Sequence, residues 1–498
     1  MSRTTFSELP FLSATALSRL VRTRQVGCVE LLDAFIGRIE ALDDRINAVV
    51  VRDFDVARER ARQMDTLLAS PSFKPGPLVG VPMTVKESFD LAGHPTTWGL
   101  AEHRDHEATS NALAVERLIA AGANVIGKTN VPVLLADWQT FNPVYGTTNN
   151  PWDTGRTPGG SSGGAAAAVA AGLSALEVGS DIGASIRNPA HYCGIYGHKP
   201  TWGICPPQGH SFPGHLAGAD ISVIGPLARS AGDLELALKA IAGPDAIEAT
   251  GWKLALPRPR WSRLADLRVA VMSNDRAAEV DASVQQAVED VADFLQREGA
   301  TVDRDARPAV DTEAAHEAYV LLLRAATAGR MTDAQIARLQ AKAIDPDVRG
   351  YEAWLARGAT MLHRDWLQWS ERRHRMRLAW AAFFKDWDVL ICPAAATAAF
   401  AHDQAGERWE RMIEVNGHPQ PSTTQLFWAG YSGAFLLPST VAPAGESREG
   451  LPIGVQIIGP QYGDLATIAL ARQLESKYRG YRRPPGFDGA SKPPVKIK

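Results

Sequence analysis

Cysteine is scarce in this chain of 498 residues: there are four, and no C-x-x-C pair. Cys28, Cys193, Cys205 and Cys392 are scattered, which excludes a disulfide scaffold and leads us to expect a reducing, cytoplasmic setting. No uninterrupted apolar run reaches membrane-spanning length, and the opening MSRTTFSELPFLSAT lacks the apolar centre of a signal peptide. No membrane partner is therefore expected. Charge of one sign is also missing: a net −3 at pH 7 gives no footprint for nucleic acid. The twelve histidines contain no H-E-x-x-H. His191, His198, His210 and His215 lack a supporting carboxylate pattern, so no metal is expected. Internal repeats are absent as well.

Small residues are what the chain has instead. Residues 158–189 read PGGSSGGAAAAVAAGLSALEVGSDIGASIRNP, with Ser161 and Ser185 24 positions apart. A hydroxyl flanked by glycine can be approached closely, and nearby backbone N–H groups can be aimed at a reacting atom. Upstream, Lys86 ends the apolar run LVGVPMTVK, which reads as a buried strand. Burial penalises the charged form of a lysine and turns it into a usable base. Two other patterns fail on context. Gly159-x-Ser161-x-Gly163 and Gly160-x-Ser162-x-Gly164 fit the α/β-hydrolase elbow, but the turn-like NNPWDTG precedes them where a strand is required. That fold would also need a late Asp and His; His402 and His418 stand without supporting context. No G-K-[ST] follows the glycines, which excludes a P-loop.

At these residues the chain resembles the amidase signature hydrolases. The matching stretches are VPMTVKES (81–88), GKTNVP (127–132), YGTTNNPWD (145–153), PGGSSGG (158–164), GSDIGASIRNPA (179–190) and CGIYGHKPT (193–201). Weaker ones follow at DVLICPA (388–394) and LPIGVQIIGP (451–460). The separations, 75 residues from Lys86 to Ser161 and 24 from Ser161 to Ser185, are usual for that family. The resemblance implies a Ser–cisSer–Lys triad: Ser185 as acylated nucleophile, Ser161 after a cis peptide bond from Gly160, and Lys86 as base. It further implies an oxyanion hole from the backbone N–H groups of Ile182, Gly183, Ala184 and Ser185. Leu135, Ala136 and Trp138 match a segment that lines the acyl pocket in some members. Asp181 and Arg187 flank the nucleophile as a structural ion pair. This chain has Gly183-Ala184 where the family usually has Gly-Gly. The extra methyl is tolerable if the local φ is negative; it either narrows the space beside the oxyanion hole or points into the scaffold and stiffens the loop.

Amide hydrolysis needs a nucleophile, a base, an acid for the leaving amine, and donors for the tetrahedral oxyanion. Neutral Lys86 could supply base and acid in turn through Ser161, with neither cofactor nor metal. Esters and carbamates fit the same relay. The alternative within the family is a component of a glutamine-dependent tRNA amidotransferase, although Glu87-Ser-Phe stands after the lysine where a Lys-Asp start is usual. Presence of all three triad residues argues against a non-enzymatic scaffold. The expected partner is a small-molecule amide, and the chain is read as a monomer or homodimer.

The expected fold class is α/β: a large mixed sheet with helices on both faces, the amidase signature fold. One large domain over 1–483 is expected, with N-terminal helices in 1–66, a signature core at 78–243 and a variable, substrate-shaping region at 312–435. αβ alternation from 78 to 130 and a β-α-β unit at 267–305 support the sheet. The stretch ERRHRMR (371–377) reads as a solvated helix face, and the Pro- and Lys-rich 484–498 as a flexible tail.

Overall fold

Short apolar runs rich in valine and isoleucine become the strands of a single 11-stranded mixed sheet. The computed structural model describes residues 6–487. In chain order the strands are β1 (Val49–Arg52), β2 (Pro82–Lys86), β3 (Asn124–Thr129), β4 (Leu176–Asp181), β5 (Tyr196–Lys199) and β6 (Val223–Ala228). Then come β7 (Arg268–Val271), β8 (Thr301–Asp303), β9 (Val389–Pro393), β10 (Ser439–Glu446) and β11 (Pro452–Ile458). Their spatial order is β1-β3-β2-β4-β6-β5-β10-β11-β9-β7-β8. Every residue of β2, β3, β4 and β6 is buried, so both faces of the sheet centre are covered by helices.

β2 runs parallel to β3 on one side and to β4 on the other, with Thr84 opposite Glu177 and Val85 opposite Val178. The carboxyl ends of β2 and β4 therefore emerge side by side. In open α/β sheets such ends are where ligands bind. The helix at Gly163–Ala170 is made of glycine, alanine and one valine and is wholly buried; residues this small let helix and sheet approach closely.

Two segments differ from the expectation. Within 13–66 the helices appear at Ala14–Arg22, Cys28–Leu42 and Phe54–Ala69, but Val49–Arg52 is an edge strand, antiparallel to β3. Consecutive valines favour the pleated surface over a helical turn. The second is the start of the expected tail. Phe487 is buried, lies under the Arg45 guanidinium 4.6 Å from its ring centroid, and gives its carbonyl to Arg38. Packing thus reaches to residue 487, and 488–498 lie outside the described residues.

Candidate active site

Lys86 ends β2 beneath the sheet's carboxyl edge, fully buried. Its Nζ lies 2.7 Å from Ser161 Oγ and 3.0 Å from Ser180 Oγ. Burial pulls the ammonium down to about 7, against the opposing charges of Asp181 and Glu177. Burial also pushes the Glu177 carboxyl up, to about 8, while Thr84 Oγ1 donates to it. Glu177 is thereby a weak counter-charge near neutrality, which helps keep Lys86 deprotonated.

Ser161 follows a cis peptide bond from Gly160. The glycines around it are required by close approach. A Cβ on Gly160 would lie 2.3 Å from the Asp137 carbonyl oxygen, and one on Gly164 2.4 Å from the Asn130 nitrogen. Ser162 N–H donates to the Ser185 carbonyl at 3.1 Å, tying the two serine segments together. The irregular approach to the helix at Gly163–Ala170 agrees with rejecting the hydrolase elbow, since no strand feeds it.

Ser185 sits on the turn between β4 and the helix Arg187–Cys193. Asp181 organises that turn. Its carboxylate accepts from the N–H groups of Ala184 (3.0 Å), Ile186 (3.1 Å) and Arg187 (3.3 Å), and from Arg187 Nε (2.9 Å) and Nη2 (2.8 Å). Arg187 also donates to Ala429 O, Ser432 Oγ and Gln456 Oε1. The turn is held from outside by Tyr319 Oη on the Ile182 carbonyl (2.7 Å) and Trp138 Nε1 on the Gly183 carbonyl (2.8 Å).

Two expectations for this turn need correction. The Ala184 N–H already donates to Asp181, so it is not free to act as one of the four expected donors. Among the described residues no acceptor takes the N–H groups of Ile182, Gly183 or Ser185, and all three residues line the cavity. Ala184 has φ +67°, outside the negative range in which its methyl would be readily tolerated, and it does not line the cavity, so the methyl does not narrow the space there. Its methyl is packed into the core, because the reversal between Gly183 and Ser185 turns that side away from the opening.

The cavity, of about 370 Å³, is lined by Ser161, Ser180 and Ser185 together with Leu135, Ala136 and Trp138. The structure thus gathers Lys86, both expected serines, three of the four expected donors and all three expected pocket residues in one place. Sequence reasoning missed Ser180, whose position at a strand end beside Lys86 was a usable signal. It also missed Tyr319, Arg324 and Arg330, which come from the distant 312–435 region and carry no local motif. His210 lines the cavity, 3.0 Å from Ser88 Oγ, with its imidazole held well below the usual range by burial. His191 accepts the Gly454 N–H on Nδ1 and donates from Nε2 to the Thr397 carbonyl, and His402 is spent on Asn149. Among the described residues no three His, Cys, Asp or Glu side chains are grouped to hold a metal ion.

Comparison with known proteins bears on the family. The family model described as Amidase matches residues 30–468. An indoleacetamide hydrolase of Bradyrhizobium diazoefficiens is 32% identical, covering 93% of this chain and 86% of that protein. A glutamyl-tRNA(Gln) amidotransferase subunit from Moorella thermoacetica is 31% identical, over 96% of this chain and 99% of its own. A solved 6-aminohexanoate cyclic dimer hydrolase, 26% identical, superposes with a TM-score of 0.77 over 96% of this chain and all of that one. With the family model spanning most of its length, this chain belongs to the amidase signature family and is an amidase that hydrolyses amide C–N bonds.

Proposed function

We propose that hydrolysis proceeds through an acyl-Ser185 intermediate, with Ser161 and Lys86 as the proton relay. The carrying observation is the 2.7 Å contact of the fully buried Lys86 Nζ with Ser161 Oγ, beside the cavity that Ser185 lines. Neutral Lys86 accepts the Ser161 proton as Ser161 takes that of Ser185. The Ser185 oxygen attacks the substrate carbonyl, and the N–H groups of Ile182, Gly183 and Ser185 receive the oxyanion. Lys86 then returns the proton through Ser161 to the leaving nitrogen, and the C–N bond breaks. Water enters by the same route in reverse, releasing the acid and restoring Ser185. Ser180 Oγ, 3.0 Å from Lys86 Nζ, holds the amine in line.

Leu135, Ala136 and Trp138 form the acyl side of the pocket in this reading. A fluorophosphonate probe tests it directly: the adduct, mapped by mass spectrometry, is expected on Ser185, and an adduct on another serine overturns the assignment. The second reading, one component of a tRNA amidotransferase, draws on the likeness to the Moorella protein. Turnover of glutamine by the isolated chain without turnover of simple anilides would favour it; the reverse favours the amidase that acts alone.

A further inference from the structure

Buried arginines in this protein normally spend their donors. Arg187 pairs with Asp181, Arg373 with Asp220 and Arg411 with Asp137, while Arg229, whose Nε also reaches no acceptor, spends its terminal nitrogens on the carbonyls of Val169, Ser174 and Leu12. Arg324 is the exception. It sits near the end of the helix Thr312–Thr327, only 7% exposed, and its side chain lines the catalytic cavity. Its buried Nε reaches no acceptor, and among the described residues it forms no ion pair. Its guanidinium lies over the Tyr351 ring, 5.5 Å from the centroid.

Two further arginines line the same cavity. Arg330 stands 4.5 Å over the Trp98 ring, with a long 3.5 Å contact to the Leu134 carbonyl. Arg408 donates to the Ala136 carbonyl and to Tyr351 Oη at 3.0 Å. Neither forms an ion pair among the described residues. Among those residues Asp137 is the one carboxylate on the cavity wall, and its charge is met by Arg411 at 2.7 Å. The wall therefore carries three guanidinium groups without a carboxylate to balance them. Burial pulls both Arg324 and Arg330 down to about 10, the mark of a site where positive charge is uncomfortable without a counter-ion.

We infer that the unbalanced guanidinium group of Arg324, assisted by Arg330, receives a carboxylate of the substrate, so that the preferred amide carries an anionic group on an apolar body. The inference rests on the catalytic reading above, since it places that anion in the cavity where Ser185 acts. An arginine fork matches a carboxylate in a way a lone ammonium does not, and Trp98, Trp138, Phe212 and Leu426 supply the apolar stretch between anion and scissile carbonyl. The carboxylate would also supply the partner that Arg324 Nε lacks.

The test uses two matched substrate pairs on the full chain. Succinanilic acid against butyranilide puts the charge on the acyl side; hippurate against N-ethylbenzamide puts it on the amine side. In at least one pair the charged member is expected to have kcat/KM about ten- to a hundredfold higher, the worth of one charge-assisted hydrogen bond or pair. Arg324→Gln should collapse that ratio toward one, Arg324→Lys should restore part of it, and Arg330→Gln should lower it less. Binding gives a readout independent of turnover. Calorimetry with 3-phenylpropionate should show about tenfold weaker binding to Arg324→Gln than to wild type. Folding of each variant is checked by its unfolding transition. Ser185-dependent turnover of the neutral amides with no preference in either pair overturns the inference and leaves the catalytic reading standing. A carboxylate preference that survives Arg324→Gln, or unchanged 3-phenylpropionate binding, also overturns it. Turnover that survives Ser185→Ala sinks the catalytic reading instead, and the binding comparison still decides the arginine.

Discussion

The two walls of the cavity are built on opposite principles. One comes from β2, β4 and the segment 158–187, and its charged side chains are met within the protein: Asp181 accepts five hydrogen bonds and Lys86 meets two serines, while the N–H groups of Ile182, Gly183 and Ser185 stay open to the cavity. The other comes from the helix Thr312–Thr327, the turn after it and Arg408, and it carries charge that the protein leaves unbalanced. A wall that must hold atoms in reacting geometry has its charged side chains tied internally, which fixes the backbone donors it leaves open. A wall that must recognise a ligand keeps its strongest donors free. The comparison separates chemistry from selectivity, and mutations on the two sides should fail differently.

The largest effect belongs to Ser185→Ala. Amide turnover is expected to fall on the order of 10⁴-fold or more with an unchanged unfolding transition. Near wild-type activity in a folded variant would remove Ser185 as the nucleophile and dissolve the contrast at its centre.

Lys86→Ala comes next, with a loss on the order of 10²–10⁴-fold on amides. Matched esters should lose less, because an alkoxide or phenoxide leaves with less need of a proton. Equal losses would argue that Lys86 does not serve the leaving group. The pH profile follows from the direction of the shift. Burial lowers the Lys86 ammonium from 10.5 to about 7, so the base is charged and unusable below that value and neutral above it. Wild-type amide turnover should therefore rise with pH through about 7. A flat profile across that range would sink the assignment.

Arg187→Met tests the internal satisfaction of the catalytic wall by stability rather than rate. It leaves Asp181 charged and buried with backbone donors alone, a change expected to cost about 3–5 kcal/mol. Chemical denaturation measures it; a cost below about 1 kcal/mol would show that the turn is held by Tyr319 and Trp138 instead.

The same contrast explains what was legible in the sequence. The catalytic wall is local: Ser161, Asp181, Ser185 and Arg187 lie within 27 residues in a run of small residues, and Lys86 marks the end of an apolar strand. Order and spacing carried them. Strands within 78–130 and 267–305 were legible as apolar runs, while Val49–Arg52 was lost between two helices, and Leu176–Asp181 and Tyr196–Lys199 were not read as strands within their motifs. Arg324, on a helix, and Arg330, on the turn after it, were invisible because an arginine there reads as solvated until the fold buries it. The sign of φ at Ala184 was equally hidden, since alanine ordinarily signals a right-handed backbone.

Ala184→Gly gives the smallest effect and asks on which side of the boundary residue 184 lies. Alanine at φ +67° is held against a left-handed cost of about 1–2 kcal/mol, which glycine avoids. Glycine in turn loosens the unfolded chain by about 0.4–1 kcal/mol, so the net gain in stability is expected to lie between about 0 and 1.6 kcal/mol. Rates should change by a common factor across acyl groups of graded size, because the methyl faces the core and not the cavity. A selective gain for bulky or α-branched acyl groups would mean the methyl does meet substrate. Residue 184 would then belong to the recognising wall, and the division between the two would run through the nucleophile turn itself.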